Sequence, residues 1–108
     1  MGPRILVTGI ASAAGRTVAA QLAARGLPCL GSDARADTRQ AEDGPAAAAV
    51  RLLPATDPDM VLDLRRLVDR EAINVVIPTL SVELPVLAAA RAGFAQDVRI
   101  IVSDPAAV

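Results

Sequence analysis

Three short segments of this chain carry the groups that could do chemistry. The first is Thr8-Gly9-Ile10-Ala11-Ser12-Ala13-Ala14-Gly15-Arg16, a string of small residues between an apolar run and a helical pattern. Such a turn leaves backbone N–H groups unpaired at the positive end of a helix, where a phosphate or carboxylate is stabilised, and small side chains let a ligand approach closely. The second is Asp33, eighteen residues beyond Gly15. An acid near this place can bind a ribose 2′-hydroxyl. The third is Pro78-Thr79-Leu80-Ser81-Val82-Glu83, with two hydroxyls and a carboxylate. Glu83 could complete a capping box with a nearby hydroxyl, or point its carboxylate into a crevice toward an amine, ammonium or hydroxyl group.

The glycine pattern is incomplete as a dinucleotide fingerprint. Aligned on T-G-x-x-G-x-x-G, Thr8, Gly9 and Gly15 fit while Ser12 holds the central glycine position; aligned on G-x-G-x-x-G, Ala11 and Ala14 replace two glycines. Two readings therefore stand side by side. In one, Gly9, Gly15 and Asp33 bind a nicotinamide cofactor. In the other, Gly9 makes a tight strand-to-helix turn, Gly15 lets the helix pack close to the sheet, and Asp33 is a solvated strand-end residue.

Missing residue types narrow the chemistry further. The 108 residues contain no His, Lys, Tyr or Trp, so all eleven basic residues are arginines. That removes an imidazole base, a His metal ligand, a Schiff-base or phosphate-loop lysine, and the Tyr-Lys pair of hydride transfer. The chain is expected to bind rather than to catalyse. A formal net charge of −1 gives no basic field for nucleic acid or an anionic membrane. Cys29 is the only cysteine and sits in an apolar run, which predicts a buried, unreactive thiol in a reducing, cytoplasmic setting. No apolar run approaches the length of a membrane span. Asp57 and Asp59 are explained by helix capping and the macrodipole, and with Asp63 they do not make a metal site.

The elements that must position these residues follow from periodicity. Arg4–Thr8 predicts a buried strand, Ala13–Arg25 an amphipathic helix stopped by Gly26, and Leu27–Ser32 a second strand with Asp33 at its tip. Ala34 to Ala49 is alanine-rich and predicts a loop with a short helix around Thr38–Glu42. Ala49–Leu53 is a third strand. Asp57 as N-cap and Pro58 as first helical residue open a helix whose apolar stripe is Met60, Val61, Leu64, Leu67 and Val68. Ile73–Ile77 is a fourth strand, Ser81 to about Gln96 a helix interrupted near Gly93, and Val98–Val102 a fifth strand. Alternation of this kind implies an α/β, Rossmann-like fold in one domain spanning 1–108: an open, parallel, five-stranded sheet with helices on both faces. Ligands of such sheets sit at the carboxyl ends of the strands, beside the point where the winding reverses. An exposed fifth strand would also offer an edge for a homodimer.

RILVTGIASAAGR, INVVIPTLSVELPVLA and VRIIVSDPAAV together resemble the N-terminal, pre-ATP-grasp domain of ATP-grasp ligases related to the carbamoyl phosphate synthase large subunit and the carboxylate-amine ligases. The resemblance covers nearly the whole chain, and its most specific element is the Pro78-Thr79 turn followed by Glu83-Leu84. It implies an architectural domain that binds a small carboxylate or amine substrate, inactive alone, while downstream ATP-grasp domains hold ATP and magnesium and form the acyl phosphate. Carried over by position, Gly9, Ser12, Ala13 and Ala14 would present backbone donors to an anionic substrate group, with Thr79 and Glu83 lining the opposite side. The alternative from the residues themselves is an NAD(P)-binding module of an epimerase, short-chain reductase or redox sensor.

Overall fold

The structure, a computed structural model, describes residues 3–34, 48–94 and 97–101. In chain order these form β1 (Ile5–Thr8), α1 (Ala13–Ala24), β2 (Cys29–Asp33), β3 (Ala48–Arg51), α2 (Met60–Arg70), β4 (Val75–Ile77), α3 (Leu84–Ala90) and β5 (Arg99–Ile100), with single 3-10 turns at Ser81–Glu83 and Arg91–Gly93 flanking α3. The strands make one sheet in the order β3-β2-β1-β4-β5, and every neighbouring pair is parallel. The open, parallel, Rossmann-like α/β arrangement predicted from the sequence is thus the observed one.

Alternation along the strands divides the core in two. Ile5 and Val7 of β1, Cys29 of β2 and Val75 and Ile77 of β4 face α1, where they meet Val18, Ala19 and Leu22. The intervening Leu6, Leu30, Val76 and Ile100 face α2 and α3, where Met60, Leu64, Leu67, Val68 and Leu87 complete the larger cluster. A strand buried on both faces must be apolar at every position, which is why ILV and VVI carry no polar residue before their ends.

The helices start and stop for identifiable reasons. Ser12 caps α1 by accepting the Gly15 amide at 3.0 Å. At its other end Gly26 is left-handed (φ 73°), and the Gly26 and Leu27 amides return to the Ala23 and Leu22 carbonyls, a Schellman stop. The same closure ends α2, but there the left-handed position is held by Ala72 (φ 53°), with Ile73 N–H bonded to the Val68 carbonyl at 2.9 Å.

Several predicted boundaries shift. The helix expected to open at Asp57 and Pro58 begins at Met60. Asp57 instead closes a turn, its side chain accepting the Asp59 amide at 2.8 Å and its carbonyl accepting the Met60 amide at 3.1 Å. The single helix expected from Ser81 to Gln96 is a short α3 between two 3-10 turns. Within Arg91–Gly93 the Gly93 position has Arg65 packed directly against it, and the Arg65 guanidinium lies 5.6 Å from the centre of the Phe94 ring. The helix proposed around Thr38–Glu42 lies outside the described residues, as do Gln96 and Val102. Cys29 is buried and its thiol is pushed up by desolvation, as expected of a structural cysteine. Among the described residues no helix is long and apolar enough to cross a membrane.

Candidate functional site

The winding of the sheet reverses at β1. The chain moves outward through β2 to β3, then crosses back to place β4 on the other side of β1. The segments leaving β1, β2 and β4 diverge at this point, and they are the three segments the sequence singled out.

Gly9 turns the chain off β1 in the left-handed region (φ 68°). A Cβ there would lie 2.6 Å from the Thr79 hydroxyl and 2.7 Å from the Leu80 side chain, so both backbone conformation and space require glycine. Ile10 N–H then bonds to the Ser32 carbonyl at 3.0 Å, tying the turn to β2. Ser12 anchors the turn twice: its amide and its hydroxyl both donate to the Gly9 carbonyl, at 2.9 and 2.7 Å. Gly15 is buried against that carbonyl, and a Cβ there would collide with the Gly9 backbone. Ala13 and Ala14, the first residues of α1, are exposed, and helix geometry gives their amides no intrahelical partner. Amides in that position are ones an anion can approach.

Asp33 reaches this turn from the end of β2. Its carboxylate accepts the Ala11 amide at 3.1 Å, and its carbonyl accepts the Leu52 amide at 3.1 Å. The half-buried acid therefore stands at the rim of the loop, next to the helix start, instead of being a separate solvated strand end.

Thr79 and Glu83 come from the other side. The Thr79 hydroxyl donates to the Thr8 carbonyl at 2.7 Å and lies 3.4 Å from the Gly9 carbonyl, so it closes the gap between β4 and the turn after β1. Glu83 reaches back to the backbone of Leu80, which precedes its 3-10 turn, as a capping residue does, but the hydroxyl it engages is that of Thr8 and not one of its own turn. It is 4% exposed, and it accepts the Thr8 hydroxyl at 2.7 Å, across the switch point from the 3-10 turn that carries it. Burial pushes its carboxyl above the usual range; the bonds from Thr8 and from the Leu80 backbone oppose that, and the Asp33 charge adds slightly to it.

Thr8, read in the sequence only as the first residue of the glycine segment, and Ser32, not singled out there, also lie at this site. They are register partners on β1 and β2, both fully buried, and among the described residues the Ser32 hydroxyl has no hydrogen-bond partner. Their signal was available: each is a hydroxyl that follows an apolar or glycine run at the end of a short strand. Among the described residues no cluster of His, Cys, Asp or Glu could hold a metal ion.

No protein-family model matches the sequence, and neither does any curated protein. Solved structures do match the fold. A protein of Escherichia coli K-12 provisionally described as an oxidoreductase is 23% identical with a TM-score of 0.52, over 71% of this chain and 36% of that one. A protein of Mesorhizobium loti provisionally described as an NADPH:quinone reductase is 20% identical with a TM-score of 0.53, over 94% of this chain and 29% of that one. The chain thus spans about a third of the length of the structures it matches. At these identities the likeness is one of fold, the Rossmann-type fold.

These matches correct the ligase expectation. The fold neighbours are described as oxidoreductases, not ATP-grasp enzymes, so the pre-ATP-grasp assignment falls. With it fall the ligase function and the ATP and magnesium placed in downstream domains. The physical reason lies in the features that carried the resemblance. Gly9 and Gly15 serve strand-to-helix packing common to parallel sheets of this order. Thr79 and Glu83, the most specific element, are bonded to Thr8 inside the fold.

Proposed function

We propose that this chain is a nicotinamide-dinucleotide-binding domain of an oxidoreductase-like protein. The observation that carries this reading is the Asp33 carboxylate bonded to the Ala11 amide, which brings the acid beside the α1 start at the switch point. The oxidoreductase descriptions of the two fold neighbours support it.

The residues fit the cofactor. Ser12, the departure from the glycine fingerprint, has an extended backbone (φ −80°, ψ 159°) that needs no glycine, and its side chain turns inward to cap Gly15. The substitution therefore leaves the outer side of the turn to the backbone. Ala13 and Ala14 would hold the pyrophosphate on their amides, Gly9 and Gly15 would keep the turn close to the sheet, and Asp33 would receive the adenine ribose. A bound nicotinamide supplies hydride transfer. These 108 residues have neither a tyrosine nor a lysine for the proton-relay pair, so their part is to bind and orient.

The buried Cys29 suits a cytoplasmic setting. β5 is the outermost strand on its side of the described sheet and Ile101 beyond it is 54% exposed, which favours a homodimer or a further domain along that edge. Light scattering tests this: a strictly monomeric mass at high concentration counts against the homodimer.

Calorimetric titration with NAD and NADP tests the cofactor reading. Micromolar affinity for one of them, weakened about tenfold or more by Asp33→Ala, is the expected result. Absence of binding by the folded wild-type chain overturns it.

A further inference from the structure

Glu83 is a carboxyl with 4% exposure whose hydrogen bond spans the switch point, yet the proposed cofactor contacts make no use of it. Its partners lead to the loop. Thr8 donates its hydroxyl to Glu83, while the Thr8 carbonyl accepts from Thr79. The Thr79 hydroxyl lies against the Gly9 carbonyl, which also receives the Ser12 amide and hydroxyl, and Ser12 in turn caps Gly15. One continuous set of bonds thus runs from the turn after β4 to the start of α1. Every residue in it is either buried or anchored at both ends, so a change of charge at Glu83 has no flexible side chain to absorb it.

We propose that Glu83 is a positioning residue for the Gly9–Gly15 turn, coupling the geometry and anion affinity of that turn to its own protonation. This rests on the dinucleotide reading for the identity of the anion, but the coupling to the turn is independent of it. Ionisation places a negative charge in a poorly solvated position behind a loop that is built to receive another negative charge. Protonation removes the charge and keeps the bond, because a carboxyl oxygen still accepts the Thr8 hydroxyl. Anion affinity therefore falls as pH rises through the Glu83 titration.

Among the described residues the charged surroundings of Glu83 are simple. β1 offers it the neutral Thr8, the 3-10 turn offers the Leu80 backbone, α3 contains no titratable residue, and the charge acting on it is Asp33 of β2. Among the described residues no arginine or other base acts on the ionised form. The Asp33 charge is the one to control among the described residues, and substitution controls it.

The test is an amide NMR titration of the whole chain between about pH 4 and 8, in the wild type and in Glu83→Gln, Thr8→Val and Asp33→Asn. Beside it, NAD⁺ affinity is followed by calorimetry, since the chain has no Tyr or Trp to report binding by fluorescence. The wild-type amides of Gly9, Ser12 and Gly15 are expected to share one step above the ordinary Glu value of 4.5, retained in Asp33→Asn and abolished in Glu83→Gln. In Thr8→Val they lose the step while Glu83 still titrates. NAD⁺ affinity falls across the step by about fivefold, the scale of one partly screened charge, and is flat in Glu83→Gln. Amides that do not titrate, a step that survives Glu83→Gln, or one that disappears in Asp33→Asn overturns the inference. A chain that shows the step and binds no dinucleotide refutes the proposed function and leaves the coupling standing.

Discussion

The Asp33 carboxylate and the Ala11 amide lie 3.1 Å apart, so the acid that ends β2 is fastened to the turn that ends β1. Parallel pairing puts Thr8 beside Ser32 in the last register of β1 with β2, and the two strand ends release their loops side by side. An acid one residue further along β2 therefore meets the amides of the β1 turn without any long side chain. The rim gains a negative group next to a positive helix end, an arrangement that suits a ligand with both hydroxyls and phosphates.

Ser12 separates local stability from loop chemistry. Ser12→Ala removes the cap of α1 and a bond to Gly9, and should lower stability by about 1 kcal/mol in urea denaturation. Ser12→Gly should lose only a few tenths of that and complete the glycine fingerprint, so it should bind dinucleotide at least as well as the wild type.

Gly15→Ala should be far more damaging than an ordinary glycine replacement in a helix. Its methyl group would strike the Gly9 carbonyl, which is backbone and already bonded to Ser12. We expect about 2 kcal/mol or more of destabilisation, with separation of α1 from the turn visible as changed amide shifts at Gly9 and Ile10.

Much of this was legible in the sequence. The runs ILVT and VVI marked central strands because burial on two faces leaves little room for polar residues, and Gly9 and Gly15 marked a turn and a close contact. Asp33 was placed by counting. What could not be read was the direction of side chains once a turn had formed. Glu83 has the spacing of a capping residue and does engage the Leu80 backbone, but its carboxyl also reaches across to Thr8, a residue 75 positions earlier, which no local pattern shows. Local pattern also could not exclude the ligase resemblance, because Gly9, Gly15 and the turn at Pro78-Thr79 serve the parallel sheet itself.

The acid-base behaviour of Glu83 should appear in stability as well as in the loop. Desolvation raises its carboxyl above 4.5 in the folded chain, so between the unfolded and folded values the native state binds more protons and stability falls as pH rises. Its contribution is complete below the unfolded value and is lost as pH climbs through the folded one. Glu83→Gln should remove this slope: denaturation at a series of pH values should find it at least as stable as the wild type near pH 7, about the point where the wild type buries a charge, with the advantage gone near about pH 4.

Ala72 offers a stabilising substitution far from the site. It closes α2 in a left-handed conformation that costs a residue with a Cβ about 1 kcal/mol, and it lies at the other end of β4 from Pro78. Ala72→Gly should raise the denaturation midpoint by the equivalent of roughly 0.5–1 kcal/mol and leave ligand affinity unchanged.

The most direct measurement is a map of NAD⁺ binding on the amides of the isotope-labelled wild-type chain. The largest shift changes should fall on Gly9 through Gly15 and on Asp33, saturating with micromolar affinity. Binding that maps to another part of the sheet, or spectra that do not change at millimolar NAD⁺ and NADP⁺, would contradict the account.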